Sequence, residues 1–295
     1  MEEPVIGVEI EAKKIYSGKV RELFELDNGN ILLVATDRVS AFDFILPTPI
    51  PGKGIILTQM SLFWFDYLGD TIENHLVERD FERFPSFLKK HDFLRGRSII
   101  VKKAERLPLE CVVRGYLSGS GWAEYMEKGE ICGVPLPENL KEGSKIPDPV
   151  FTPATKEEAG RHDMNITFEE ASGIVGPQKA ALLKNISLKI YSKASEYARQ
   201  KGIIIADTKF EFGMYGNRLI IIDELLTPDS SRFWEAEKYS EGQPRESLDK
   251  QYIRNYLLST GWDRKSLPPA LPEEVVCQTI SKYRQIYRQL TGKPI

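Results

Sequence analysis

The chain carries 40 Lys and Arg against 43 Asp and Glu over 295 residues, a formal charge of −3. That balance lacks the basic excess of a dedicated nucleic-acid binder, yet it leaves room for a local cationic pocket for a phosphorylated small molecule. Apolar residues at 41% beside 28% charged exclude general disorder, and no run approaches the ~20 apolar residues needed to cross a bilayer.

The length suits one large domain or two small ones. Residues 15–26 read as two strand pieces interrupted by Ser17-Gly18, Asn28-Gly29 marks a hairpin turn, and 31–35 is a short apolar β-rich run. This order predicts an antiparallel sheet. Residues 58–68 break the pattern, since Leu62, Phe65 and Leu68 keep helical spacing and Gly69 supplies a stop. A strand follows at 98–101, and Leu107-Pro108 closes a stretch that reads as a linker between lobes. Five prolines between 133 and 153 predict a long irregular loop. Thr167 with Glu170 has the form of a capping box, and Leu183, Ile186, Ile190, Ala194 and Tyr197 mark one face of a helix over 178–201. Runs at 203–212 and 219–225, separated by Gly213, Gly216 and Asn217, predict a hairpin. Residues 249–259 and 273–290 predict two further helices. The expected fold class is α+β, with an antiparallel β-rich N-terminal lobe over 1–106 and a mixed α/β C-terminal lobe over 107–295.

Cys111, Cys132 and Cys277 have neither a disulfide framework nor zinc spacing, so all three are expected to be reduced and buried, as in a cytoplasmic protein. The opening MEEPVIGVEIEAKK does not read as a signal peptide. His75, His91 and His162 are too scattered to suggest a histidine metal site.

The strongest chemical signal is Asp207-Thr208-Lys209-Phe210-Glu211-Phe212-Gly213. Alternate residues of a strand face opposite sides, so Asp207, Lys209 and Glu211 share a face. Three such charges are costly to bury unpartnered. They describe either a solvated edge strand or a metal and substrate face in a cleft. The next apolar run ends in Asp223-Glu224, and Glu211 with Asp223 could share Mg²⁺, which takes one or two carboxylates plus phosphate oxygens. Alone, Asp223 simply ends its strand. Gly18 would let the backbone approach a phosphate beside Lys19 and Arg21, although an ordinary hairpin turn accounts for the same residues. Arg114 before Ser118-Gly119-Ser120-Gly121 has the pattern of an anion site, or of a flexible loop with a surface arginine. The turn at Thr227-Pro228-Asp229 would bring Arg232 back toward Asp223. Lys250 and Arg254 share a helix face that either meets solvent or closes a phosphate clamp with Arg114 and Arg232. Asp163 is either a helix-start acid or a further ligand.

In their order along the chain, YSGKVREL (16–23), TDRVSAFD (36–43), PLECVVRGYLSGSGW (108–122), FTPATK (151–156), HDMN (162–165), ADTKFEFG (206–213), DELLTPDSSRFW (223–234) and DKQYIR (249–254) resemble the phosphoribosylaminoimidazole-succinocarboxamide synthase (SAICAR synthetase) family. GYLSGSGW and TPDSSRFW resemble its longer, yeast-like type, for which a monomer is expected. The resemblance implies a two-lobed, kinase-like fold with an ATP cleft between the lobes. It also implies a ligase of purine biosynthesis joining L-aspartate to the carboxylate of 5-amino-1-(5-phospho-D-ribosyl)imidazole-4-carboxylate (CAIR) through an acyl phosphate. The products are SAICAR, ADP and phosphate. The implied cofactors are ATP and Mg²⁺, and the only implied partners are small-molecule substrates, with no nucleic acid and no membrane.

Carried over by position, Lys209 and Asp207 are the expected catalytic residues. Gly18, Lys19, Arg21, Lys103, Glu105, Leu107, Glu211 and Asp223 are expected at ATP. Arg114, Ser120, Arg232, Lys250 and Arg254 are expected at CAIR, and Asp37, Ser40 and Asp43 at aspartate. Glu211, Asp223 and Asp163 are the expected metal ligands. Met164 departs from the resemblance, which expects an acid there, and Phe24 stands where a tyrosine is frequent. Two competing readings use the same residues: a kinase-like phosphotransferase with another acceptor, and a nucleotide-binding protein without turnover.

Overall fold

In a computed structural model, which describes residues 3–155, 164–243 and 247–295, the N-terminal runs form an antiparallel ladder. Strands β1 (Lys13–Ser17), β2 (Arg21–Glu25) and β3 (Ile31–Ala35) are joined by turns at Gly18-Lys19 and Asn28-Gly29. Gly29 has φ +79, a left-handed backbone that glycine adopts without steric cost. A short ribbon follows, β4 (Ser40–Ala41) and β5 (Phe44–Ile45), and then helix α1 (Lys53–Tyr67). The helix expected at 58–68 therefore starts at Lys53. Its first turn was hidden by Gly54, which lies so close to the backbone of Ala35 that a Cβ would come within 2.2 Å of the carbonyl oxygen. Strands β6 (Leu76–Glu78) and β7 (Ser98–Val101) complete a five-stranded sheet, β1-β2-β3-β7-β6.

The second sheet begins with β8 (Glu105–Arg106) and β9 (Leu109–Tyr116). Helix α2 (Gly119–Lys128) and a small hairpin, β10 (Glu130–Ile131) with β11 (Val134–Pro135), lead to β12 (Lys145–Phe151) and β13 (Ala154–Thr155). Helices α3 (Phe168–Val175) and α4 (Pro177–Gln200) precede the long strand β14 (Ile203–Tyr215), its hairpin partner β15 (Arg218–Ile222), and β16 (Ser231–Glu235). Helices α5 (Gln251–Ser259) and α6 (Glu273–Thr291) end the described elements. The path of this sheet is β12-β9-β14-β15, with β13 on β9 and with β8 and β16 on β14. The capping box is present: Glu170 N–H donates to Thr167 Oγ1 at 3.2 Å and Thr167 N–H to Glu170 Oε2 at 2.7 Å. Helix α4 buries Ala180, Leu183, Ile190, Ala194 and Ala198 and packs on β14, β9 and β12. Among the described residues no helix is long and apolar enough to cross a membrane.

The change of sheet falls between Val101 and Glu105. The lobes assigned as 1–106 and 107–295 nevertheless share one apolar core, in which α1 packs against α6 and Trp64 lies in the same cluster as Phe210, Phe212 and Tyr283. Two expectations are corrected. The proline-rich stretch is not irregular throughout, because Pro147 and Pro149 sit in β12. That strand is an edge, and its pairing with β9 is interrupted between Lys145 and Val150, so no ladder N–H is lost. Cys111 and Cys132 are buried, but Cys277 is exposed on α6.

Asp37 is also corrected. It is fully buried, accepting from Arg97 Nη1, Gly54 N and Val5 N, each at 2.9 Å. Its oxygens join Arg97 before β7, α1 and the N-terminal segment, and it does not line the cavity described below. Asp37→Ala would leave Arg97, 3% exposed, as an uncompensated cation. The expected loss is ~3–5 kcal/mol of unfolding free energy, read from urea denaturation.

Candidate active site

Strand register gathers the first cluster. Arg114 of β9 lies opposite Asp207 of β14, and Arg232 of β16 lies opposite the same Asp207. One carboxylate thus serves two guanidiniums: Arg114 Nη1 donates to Asp207 Oδ2 at 3.0 Å, and Arg232 Nη1 makes a shorter bond to that oxygen. Arg114 also donates to Thr152 Oγ1 and Ser120 Oγ, both at 3.0 Å. Gly119, at φ +55, admits Arg232, whose guanidinium would lie 2.2 Å from a Cβ there. The three groups carry a net positive charge. Arg232 does not turn back to Asp223, because residues 231–235 extend along the first half of β14 instead.

Arg114, Asp207 and Arg232 line a cavity of about 300 Å³. Its walls include Lys19 from the β1–β2 turn, Ser40, Phe42 and Asp43 from the β4–β5 ribbon, Lys209 from β14, and Asp229, Lys250 and Arg254 from beyond β15. A second charge cluster joins two wall residues, Asp229 and Lys250, to Lys53, which is not part of the lining. Lys53 Nζ, on a side chain without exposure, lies 2.8 Å from Asp229 Oδ2, and Lys250 Nζ lies 3.4 Å from the same oxygen. Tyr283 OH donates to Asp229 Oδ1 at 2.9 Å. Burial, together with the Lys53 and Arg254 charges, lowers Lys250 to about 8 against the pull of Asp229. Two acids, each shared by two cations, therefore leave the cavity with spare positive charge. At its mouth Lys19 and Asp43 form an ion pair.

The acid pair lies farther along the hairpin. Glu211 of β14 is in register with Ile222 of β15, so Asp223 is one residue past its partner. Asp223 has φ +60, which turns the chain out of the strand. Arg21 of β2 reaches across, its Nε 3.4 Å from Asp223 Oδ1 and its Nη2 2.6 Å from Glu224 Oε2. Lys209 donates to Glu110 Oε1 at 2.9 Å. Burial lowers the Lys209 pKa, but Glu110, Glu211 and Glu224 outweigh it and hold the ammonium above the usual lysine range. Phe210 and Phe212 point into the core on the opposite side of β14. The alternation read from the sequence is thus realised at Lys209 and Glu211, with acids and cations meeting where the two sheets face one another.

Other assigned residues are placed differently. Ser120 acts on Arg114 and is not among the cavity walls. Gly18 donates its N–H to Arg21 O at 2.8 Å and closes the β1–β2 turn. Lys103 pairs with Glu25 of β2 at 2.5 Å, and Glu105 lies in β8 against Met214. Leu107 is buried, and its N–H donates to Phe212 O at 2.9 Å, so that donor is already used within the sheet. Asp163 lies outside the described residues. Lys53, Glu110 and Tyr283 carry no site role in the sequence reading, and Glu224 enters it only as the second acid that ends the apolar run. Only Lys53, between Gly52 and Gly54, and Glu110, next to the apolar β9, gave a signal there: a lone charge inside a run that packs.

A family model described as SAICAR synthetase matches residues 14–269. The phosphoribosylaminoimidazole-succinocarboxamide synthase of Thermodesulfovibrio yellowstonii is 57% identical over 281 residues, covering 95% of this chain and 96% of that protein. The solved SAICAR synthase of Saccharomyces cerevisiae, complexed with SAICAR, is similar at a TM-score of 0.89 and 40% identity, covering 99% of each chain. A Type-2 SAICAR synthetase structure in complex with ADP is similar at a TM-score of 0.70 and 26% identity, covering 95% of this chain and 98% of that one.

Proposed function

The chain belongs to the SAICAR synthetase family, and from that premise we propose how its residues divide the work. The enzyme joins L-aspartate to the carboxylate of CAIR with ATP, giving SAICAR, ADP and phosphate. The observation that carries the assignment is the Arg114–Asp207–Arg232 cluster, opening on a cavity that Lys209, on the same strand as Glu211, also lines.

Arg114, oriented by Ser120 and Thr152, and Arg232 take the CAIR phosphate, with Arg254 beside them. Asp207 fixes both guanidiniums and leaves them one charge in excess; it acts on their placement, not on the reacting atoms. The ATP phosphates lie between the β1–β2 turn and the β14–β15 hairpin, near Lys19 and Arg21. Glu211 and Asp223 fit a Mg²⁺ ion, being two carboxylates from paired strands beside a phosphate path. Bound there, the ion would neutralise charge on the phosphoryl group. Lys209, kept cationic by its three acids, faces the same oxygens. A CAIR carboxylate oxygen takes the γ-phosphoryl group and ADP departs. The aspartate ammonium gives one proton to water, the resulting amine displaces phosphate from the acyl phosphate, and the second N–H proton leaves with the phosphate. Aspartate enters at the mouth, its ammonium toward Asp43 and a carboxylate toward Lys19, with Ser40 alongside.

The deciding experiment is ADP release with CAIR present, with and without aspartate. Sustained release that requires both substrates supports the ligase. Stoichiometric phosphorylation of an acceptor with indifference to aspartate would establish the phosphotransferase instead. A second test uses pH. Lys250 is protonated below about 8 and neutral above it, so the KM for CAIR is expected to rise between pH 7.5 and 9 by ~5–10-fold, as one charge-assisted contact is lost. Lys250→Arg, which stays charged, should flatten that rise.

A further inference from the structure

The β4–β5 ribbon reverses in two residues, since Ser40 pairs with Ile45 and Ala41 with Phe44. A two-residue reversal of this hand needs φ above zero at both central positions, which favours Asn-Gly. Here the positions are Phe42 at φ +50 and Asp43 at φ +68. A bulky aromatic residue is poorly suited to that backbone, and such conformations persist where surrounding structure imposes them.

The surrounding structure comes from the segment after α5. Trp262 packs on both sides of the reversal, its ring centroid 6.1 Å from that of Phe42 and 5.3 Å from that of Phe44, the second contact edge-on. The Arg264 guanidinium lies 4.8 Å from the Phe42 ring centroid, within range of a cation–π contact. Trp262 is itself fixed, donating Nε1–H to Ser266 O at 3.0 Å. Farther on, Leu271 N–H donates to Thr48 Oγ1 at 2.9 Å, tying the same segment to the chain just past the ribbon. The clamp thus holds from outside a turn whose inner side, Phe42 and Asp43, lines the cavity. Asp43 meets Lys19 there.

We propose that Trp262 and Arg264 are positioning residues for the amino-acid substrate: by gripping Phe42 they hold the reversed turn in place and so aim Asp43 at the cavity mouth. This rests on the reading that Asp43 and Lys19 receive aspartate. The CAIR phosphate is held by the β9–β14–β16 cluster, and the ATP phosphates have Arg21 of β2 besides Lys19, so loss of the clamp falls first on aspartate.

The test is steady-state kinetics with each substrate varied in turn. Trp262→Ala is expected to raise the KM for aspartate about tenfold, with the KM values for CAIR and ATP within twofold of the parent. Trp262→Phe, which keeps a ring in the clamp, should recover most of that loss. Phe42→Asn in the Trp262→Ala background should recover it too, because asparagine tolerates the left-handed backbone and the turn then holds without a grip. A merely structural role for Trp262 would not be repaired by changing the turn. An equal loss toward all three substrates, no loss, or failure of Phe42→Asn to recover the KM would overturn the clamp. Should Trp262→Ala not fold, Arg264→Ala removes the other side of the grip and must shift the aspartate KM in the same direction; an unchanged KM there counts equally against it. Asp43→Asn separates the two layers. If it leaves the aspartate KM unchanged, the reading of the mouth fails. If it raises that KM while Trp262→Ala does not, the mouth stands and the clamp is wrong.

Discussion

Glu211→Gln is expected to lower kcat about a thousandfold, with little change in thermal stability. The side chain projects from β14 away from Phe210 and Phe212, which pack in the core, so no cavity opens and no buried apolar contact is lost. What disappears is one of the two carboxylates that paired strands bring together, Asp223 being one residue past the register partner of Glu211. Glutamine keeps the shape and loses the charge, so the change isolates electrostatics. Asp223→Asn should act in the same direction with an added effect on Arg21, whose guanidinium lies against Asp223 and Glu224. The measurement is single-turnover ADP formation over a range of Mg²⁺ concentrations. A Glu211→Gln enzyme within tenfold of the parent at every concentration would remove the acid pair from the mechanism.

Much of this site was legible because strand chemistry is local. The alternation of Asp207, Lys209 and Glu211 against Phe210 and Phe212 needs only a two-residue period, and the abrupt end of an apolar run at Asp223 needs only a hydropathy change. The structure adds pairings between residues far apart in the chain. Nothing near Asp207 shows that it holds two arginines, one of them on β9 and the other on β16. Nothing near Asp37 distinguishes an acid that binds substrate from one that ties Arg97 to the start of α1. The TDRVSAFD stretch therefore divides: Ser40 and Asp43 reach the cavity, while Asp37 serves the fold. Pro147 and Pro149 misled for a related reason, since proline excludes a residue from a paired ladder but not from an edge strand with interrupted pairing. No local pattern gives Lys53 or Tyr283 its partner, although Lys53 stands out as a lone charge inside a run that packs. Their shared partner Asp229 sits in a loop, and only tertiary packing of α1 and α6 brings all three together.

Lys209→Met tests the cation at the centre of the site and is expected to cost about three powers of ten in kcat. An ammonium raised by three neighbouring acids cannot serve as a base near neutrality, so its contribution must be its charge and its N–H donors. Those are worth most where oxygens gain negative charge during transfer. The substitution has a second consequence that must be kept apart from the first. Glu110 is 5% exposed and accepts from Lys209 at 2.9 Å, so removing the lysine takes a charged donor from a buried carboxylate and is expected to cost ~1–3 kcal/mol of stability. Glu110→Gln in the same chain removes that charge. The double variant should therefore regain most of the lost stability in a thermal melt while its kcat stays as low as that of Lys209→Met alone. If activity returns together with stability, Lys209 is a structural partner of Glu110 and the transferring phosphoryl group is stabilised by other residues.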